Sequence, residues 1–202
     1  MSYRDDADIP LKYGGLSRLN KNETEAVIHQ SSSHLDEITN NFAVNNTHLA
    51  EKPRVSESGA FVAQFVSNCD TKSEREKLVK SLSEHMKVDV FGNCGSLKCD
   101  RSKDCYQMLN QTYKFYLSLE NSVCKDYITE KFFNILPYNV IPVVLNGANM
   151  SKVAPPHSYI DVQKFSSTKQ LADYLYKVHN NDTLFASYFW WRDYYTLWVN
   201  TL

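Results

Sequence analysis

From residue 61 onward, short apolar runs alternate with amphipathic segments, and the alternation predicts strands and helices in turn. Residues 61–66 (FVAQFV) form an apolar run of strand length, expected to be central and covered on both faces. Ser73 with Glu76 three residues on predicts a capping box. The helix it opens carries Leu78, Leu82 and Met86 every four residues, with Val79 beside them. Residues 88–91 are a second strand, closed by Gly92, so this is a strand–helix–strand unit of a length that suits parallel pairing. Phe115, Leu117 and Leu119 then alternate with Tyr116 and Ser118, the period of a pleated strand. Asp126 is expected to cap a helix from about 127 to 136, with Phe132, Phe133 and Leu136 on its buried side. Residues 140–145 (VIPVVL) are a buried strand in which Pro142 predicts an edge position or a bulge. A short strand at 158–162, an amphipathic helix at 168–179 and an aromatic helix from 184 to about 198 complete the pattern. It predicts an α/β fold, a Rossmann-like, mostly parallel sheet with flanking helices.

Residues 1–58 break this rhythm. They are polar, hold no sustained period and predict loop. The expected division is therefore a loop-rich segment at 1–58 and one folded domain at 59–202. Apolar residues make up 43% and charged residues 22%, ordinary for a globular chain. The formal net charge is −1, so no general basic field points to nucleic acid, and any anion site must be local. No apolar run is long enough to span a bilayer, so this chain by itself offers no membrane contact.

The best candidate for such a site is residues 113–133, YKFYLSLENSVCKDYITEKFF. A strand runs out into Glu120-Asn121-Ser122, a turn follows, and a helix opens near Tyr127, Thr129, Glu130 and Lys131. Free N–H groups at a helix start favour an anion there, and lysine adds a mobile point charge for phosphate. Ligands of open α/β sheets bind at the carboxyl ends of the strands, where this cluster lies. Ser67 and Asn68 follow the first strand in the same way, and Arg75 in the next helix reads, on its own, as a surface arginine paired with Glu74 or Glu76.

FYLSLENS followed by KDYITEKFF, and SNC with Arg75 seven residues after Asn68, closely resemble the donor-binding motifs of the α1,3-fucosyltransferases, glycosyltransferase family 10. The resemblance covers residues 59–196. A further piece at 2–14 resembles the end of that family's acceptor-binding half, so the chain is expected to begin inside a larger enzyme. It implies the C-terminal, donor-binding half of a GT-B glycosyltransferase that takes fucose from GDP-fucose to GlcNAc of glycoprotein glycans in α1,3 linkage, in the Golgi lumen. The implied donor-binding residues are Ser67, Asn68, Arg75, Tyr116, Asn121, Tyr127, Glu130 and Lys131, with Arg75 and Lys131 stabilising the leaving group. Asn121, Tyr127 and Glu130 would hold fucose and ribose hydroxyls, and Tyr116 the nucleotide. No metal is obligatory in the family's active site, and a divalent cation is at most a stimulant. Asp6 and Asp8 lie in a loop-like segment far in sequence from the phosphate motif and are expected to be a solvated acidic turn, not metal ligands. The general base belongs to the other half, so this chain alone is expected to transfer poorly. An inactive GDP-sugar-binding domain and a secreted glycan-binding protein are the alternatives.

Five Cys suit an oxidising compartment, and an odd number leaves at least one without a partner in this chain. Cys94, Cys99 and Cys105 fit no standard zinc spacing and predict a local disulfide. The run CGSLKC resembles the invertebrate members that fucosylate the N-glycan core. Asn-x-Ser/Thr acceptors at Asn22, Asn45, Asn110, Asn149 and Asn181 agree with a secretory setting.

Overall fold

The computed structural model describes residues 13–19, 32–46, 49, 55–99 and 104–199. Among them the strands, in chain order, are β1 (Gly14–Arg18), β2 (Val62–Phe65), β3 (Val88–Phe91), β4 (Phe115–Leu119), β5 (Ile141–Leu145), β6 (Ile160–Asp161) and β7 (Tyr195–Val199). The helices are α1 (Ser32–Asn45), α2 (Arg75–Ser83), α3 (Cys105–Thr112), α4 (Glu130–Phe133), α5 (Met150–Val153), α6 (Thr168–His179) and α7 (Asp182–Ser187). Strands β2 to β6 make one sheet in the order β3-β2-β4-β5-β6, and every pairing in it is parallel.

All five residues of β4 are buried, as both-face coverage of a central parallel strand requires. On one face Phe115, Leu117 and Leu119 join Val62, Ile141 and Val143, and α2, α6 and α7 close over them with Leu82, Leu171, Leu175 and Phe185. On the other, Tyr116 packs with Leu109, Tyr113 and Ile135, and Val144 with Phe132, Phe133 and Trp190. The polar member of the alternation, Ser118, is buried too, and its hydroxyl donates to the Lys131 carbonyl at 2.8 Å.

Several local expectations give way to longer-range contacts. The capping box does not form. The Ser73 hydroxyl donates instead to the Glu120 carbonyl at 2.6 Å, and Glu76 accepts from Thr71 at 3.0 Å. Helix α2 opens after Glu74, which has φ 53 and no side-chain cap. Asp126 caps nothing; it adopts φ 61 in the turn, and the shorter α4 is capped by Thr129. Pro142 lies neither at an edge nor in a bulge, since β5 has β4 and β6 on its two sides in unbroken register. The reason is geometric. The Ile141 N–H bonds toward β4, so the next residue faces β6, whose pairing starts only at Val143. A missing N–H costs no ladder bond there.

The expected aromatic helix at 184–198 is instead α7, a 3₁₀ turn at Trp190–Asp193 and strand β7. Strand β7 pairs antiparallel with β1, from Gly14↔Val199 to Arg18↔Tyr195. The stretch expected to be loop contains β1 and α1, whose Leu35, Ile38 and Phe42 pack on the Trp190 cluster. Residues 2–12, with Asp6 and Asp8, and Asn22 lie outside the described residues.

Candidate functional site

Chain order and sheet order disagree at one place. From β2 the chain goes outward to β3, then returns to lay β4 on the other side of β2. The carboxyl ends of β2 and β4 thus border the topological switch point, where open α/β sheets leave a crevice for ligands. Ser67 and Asn68 follow β2, and Glu120 and Asn121 follow β4.

Arg75 lies under this crevice and joins its two sides. Its guanidinium donates to the Leu119 carbonyl at 2.7 Å and to the Asn68 carbonyl at 3.0 Å, and the residue is 3% exposed. Burial pulls its pKa below the ordinary value, against the attraction of Glu120 and Glu76. Two buried polar atoms here have no partner among the described residues: Arg75 Nε, a donor, and Asn121 Oδ1, an acceptor. Such orphans are uncommon in a folded chain.

The second cation is Lys131, in the first turn of α4. Its ammonium donates to Thr129 Oγ1 at 3.0 Å, Glu120 Oε2 at 3.1 Å and Glu130 Oε1 at 3.4 Å. Burial opposes its charge, but Glu120 and Glu130 outweigh that and hold its pKa above the ordinary lysine range. Glu120 is 1% exposed and also accepts from the Thr129 N–H at 2.7 Å and from its hydroxyl at 2.8 Å. It therefore ties the end of β4 to the start of α4 and fixes where Lys131 stands. Tyr127 lies in the same field. Burial first, then Glu120, push its phenol pKa up.

The structure thus brings Asn121, Tyr127, Glu130 and Lys131 to the β4 side of the crevice and Asn68 and Arg75 to the β2 side. Ser67 is exposed after β2, beside the turn at Gly92. Tyr116 is not brought with them. It sits in the lower half of β4, 3% exposed, packed edge-on against Phe65. Glu120 and Thr129 were missed as site residues. The signal was an acid directly after a buried strand, which is the same feature that drew attention to Asn121.

Two disulfides are present among the described residues, and Cys124 is free and exposed. Cys99–Cys105 is the expected local bridge. Cys94 is not part of it but joins Cys69, tying the turn after β3 to the loop after β2. Gly92, at φ 102, allows that approach, since a Cβ there would stand 2.4 Å from the Val66 carbonyl oxygen. No cluster of His, Cys, Asp and Glu among the described residues could hold a metal ion.

Fold and site together define a parallel α/β domain with an anion-suited crevice at its switch point. The profile of the glycosyltransferase family 10 (fucosyltransferase) C-terminal domain matches residues 55–201, and the chain belongs to this family. It is 50% identical over 136 residues to alpha-(1,3)-fucosyltransferase C of Drosophila melanogaster, covering 67% of this chain and 32% of that protein. It is 46% identical over 136 residues to glycoprotein 3-alpha-L-fucosyltransferase A of the same organism, covering 65% of this chain and 27% of that protein. The chain thus spans between about a quarter and a third of these relatives. A crystal structure of an alpha1,3-fucosyltransferase with GDP-fucose matches with a TM-score of 0.59 at 22% identity, over 85% of this chain and 48% of that one. The fold expected from the sequence, the Rossmann-like half of a GT-B enzyme, is the fold observed.

Proposed function

We propose that this chain is the donor-binding part of an α1,3-fucosyltransferase. It binds GDP-fucose at the switch point between β2 and β4, for transfer of fucose to GlcNAc of a glycoprotein glycan in the Golgi lumen. The N-glycan core is the acceptor the CGSLKC resemblance favours. The observation that carries the reading is the pair of cations at one crevice, the buried Arg75 beneath it and the partly buried Lys131 on its β4 side.

Departure of GDP leaves negative charge on the diphosphate, and fixed cations in a shielded site stabilise it with little reorganisation. Lys131 has all three ammonium protons engaged in the free chain. Its Glu130 contact is the longest of the three, and the Glu130 side chain is 47% exposed. A phosphate oxygen therefore displaces Glu130 first, and the released carboxylate becomes an acceptor for a ribose or fucose hydroxyl. Arg75 acts at close range through its charge. A direct fork on the phosphates requires it to leave the Leu119 or Asn68 carbonyl. Asn121, Tyr127, Ser67 and Asn68 supply polar contacts around the sugar and nucleotide, and Tyr116 supports the wall from beneath. No step in this reading is routed through a metal.

The test is calorimetry with GDP, with and without excess chelator. Lys131→Ala removes a charge-assisted contact and is expected to weaken binding by about 1.5–3 kcal/mol. Equal affinity in the two proteins, or loss of binding on chelation, would refute the assigned roles.

A further inference from the structure

Three successive backbone carbonyls at the end of β4 are held by one short stretch on the β2 side of the crevice. The Arg75 guanidinium donates to the Leu119 carbonyl at 2.7 Å, the Ser73 hydroxyl to the Glu120 carbonyl at 2.6 Å, and the Ser73 N–H to the Asn121 carbonyl at 3.1 Å. Between the two donor residues stands Glu74, at φ 53 and ψ 28. A residue with a Cβ takes up this left-handed backbone only where its surroundings impose it. The Glu74 side chain is exposed and reaches only Lys77, at 2.7 Å, so the bend serves its neighbours.

The same peptide is pinned from the other side as well. The Glu120 N–H donates to the Leu145 carbonyl of β5 at 3.0 Å. With its N–H and its carbonyl both engaged, Glu120 has little freedom to turn, and the directions of the Glu120 and Asn121 side chains follow from that backbone. Glu120 is thereby aimed at the Thr129 N–H, at 2.7 Å, and at the Lys131 ammonium, at 3.1 Å. Asn121 presents its buried Oδ1, which has no partner among the described residues. We propose that Ser73 is a positioning residue of the donor site. It acts through other residues: its hydroxyl and N–H set the peptide that carries Glu120 and Asn121, and Glu120 in turn sets where Lys131 stands. The role needs the hydroxyl, since the Ser73 N–H alone would hold Asn121 and leave the Glu120 carbonyl free to turn. This inference rests on the donor reading above and adds to it a residue that reaches the β4 side of the crevice from the β2 side.

The test compares the 202-residue chain with Ser73→Ala and Ser73→Thr. Two quantities are read: GDP affinity by calorimetry, and the titration of the Lys131 ammonium by NMR of lysine-labelled protein without nucleotide, its signal assigned by its loss in Lys131→Ala. Ser73→Ala is expected to weaken GDP roughly twofold to tenfold, the worth of one hydrogen bond. Burial opposes the Lys131 charge, and Glu120 with Glu130 holds its pKa up, so a Glu120 turned aside is expected to bring that pKa down. Ser73→Thr keeps the hydroxyl at a half-buried position and is expected to restore both quantities. Weaker GDP binding with an unmoved Lys131 titration overturns the inference, since a merely structural hydroxyl gives that result. Ser73→Thr as impaired as Ser73→Ala overturns it too, as does native behaviour of Ser73→Ala in both measurements. Failure of the unaltered chain to bind GDP overturns the donor reading, whereas the Lys131 titration needs no nucleotide and still decides whether Ser73 sets that side chain.

Discussion

Glu120→Gln tests whether the site is held by a buried ion pair. The substitution keeps one oxygen for the Thr129 N–H and hydroxyl, at 2.7 and 2.8 Å in the native chain, and turns the oxygen facing Lys131 into an amide NH2, which removes the charge and sets a donor against the ammonium. The pair is 3.1 Å long, with side-chain exposures of 20% for Lys131 and 1% for Glu120. Breaking a fully buried pair costs about 3–5 kcal/mol, because one charge stays behind unpaired. Lys131 is not fully buried and keeps Glu130, so the expected loss is about 2–3 kcal/mol. For a chain of this size that lowers Tm by roughly 4–12 °C. The assay is urea and thermal unfolding at pH 7. The double variant Glu120→Gln with Lys131→Met removes both charges and is expected to cost less than the sum of the single changes. Stability within about 0.5 kcal/mol of the native chain, or strict additivity in the double variant, would refute the clamp.

Three other outcomes are expected. Burial pulls the pKa of His157 down to about 4, with Asp36 opposing weakly, and its Nε2 sits 2.7 Å from Ser187 Oγ. The unfolded chain takes up that proton more readily, so stability is full above about pH 6.5 and falls by about 2–3 kcal/mol as pH drops toward 4; His157→Asn should flatten denaturation midpoints over this window, and an unchanged slope would exclude His157 as the cause. The Cys69–Cys94 bridge spans 25 residues, so the paired Ser variant is expected to lose about 2–4 kcal/mol of stability, read by urea unfolding; a loss below about 0.5 kcal/mol would show that the bridge does not hold the two loops. Residues 1–202 produced alone are expected to release free fucose slowly from GDP-fucose and to label a core-GlcNAc glycopeptide very poorly, since general-base help alone is worth roughly 10²–10⁴ in rate; efficient labelling, counted separately from free fucose, would place a base within these residues.

The parallel core was legible because its strands carry their own signal. Residues 62–65, 115–119 and 141–145 are apolar enough to be buried on both faces, and the helices between them show the right period. The ribbon of β1 and β7 was not legible. Its pairing joins the two ends of the described chain, and aromatic residues such as Tyr195 and Trp198 read equally well as helix or strand. Helix α1 buries Leu35, Ile38 and Phe42 within an otherwise polar stretch, too weak a stripe to stand out without its partner. At the site, the gathering of Asn121, Tyr127, Glu130 and Lys131 followed from a strand end meeting a helix start. The Glu120–Thr129 clamp did not, because it depends on a turn that carries Asp126 at φ 61 and brings together side chains nine residues apart. The capping box failed for the same kind of reason. Ser73 had a better partner, 47 residues away, than its own helix.

On the reading proposed above, a diphosphate is bound by one buried and one partly buried cation, and the chain must also fold without it. Leaving two such charges bare would cost several kcal/mol each. The chain meets this in two ways. Arg75 is held by neutral carbonyls, which stabilise its charge without cancelling it, so the crevice stays positive from below. Lys131 is held by carboxylates, one buried and permanent, one half-exposed and replaceable. On that reading, binding at Lys131 is an exchange of one anion for another, and its free energy is the difference between a phosphate and Glu130, not the whole worth of a phosphate–lysine pair. Specificity cannot come mainly from that exchange, since any accessible phosphate could make it. On the proposed reading it comes from neutral groups that meet the rest of the donor, among them Asn121, whose buried Oδ1 has no partner among the described residues.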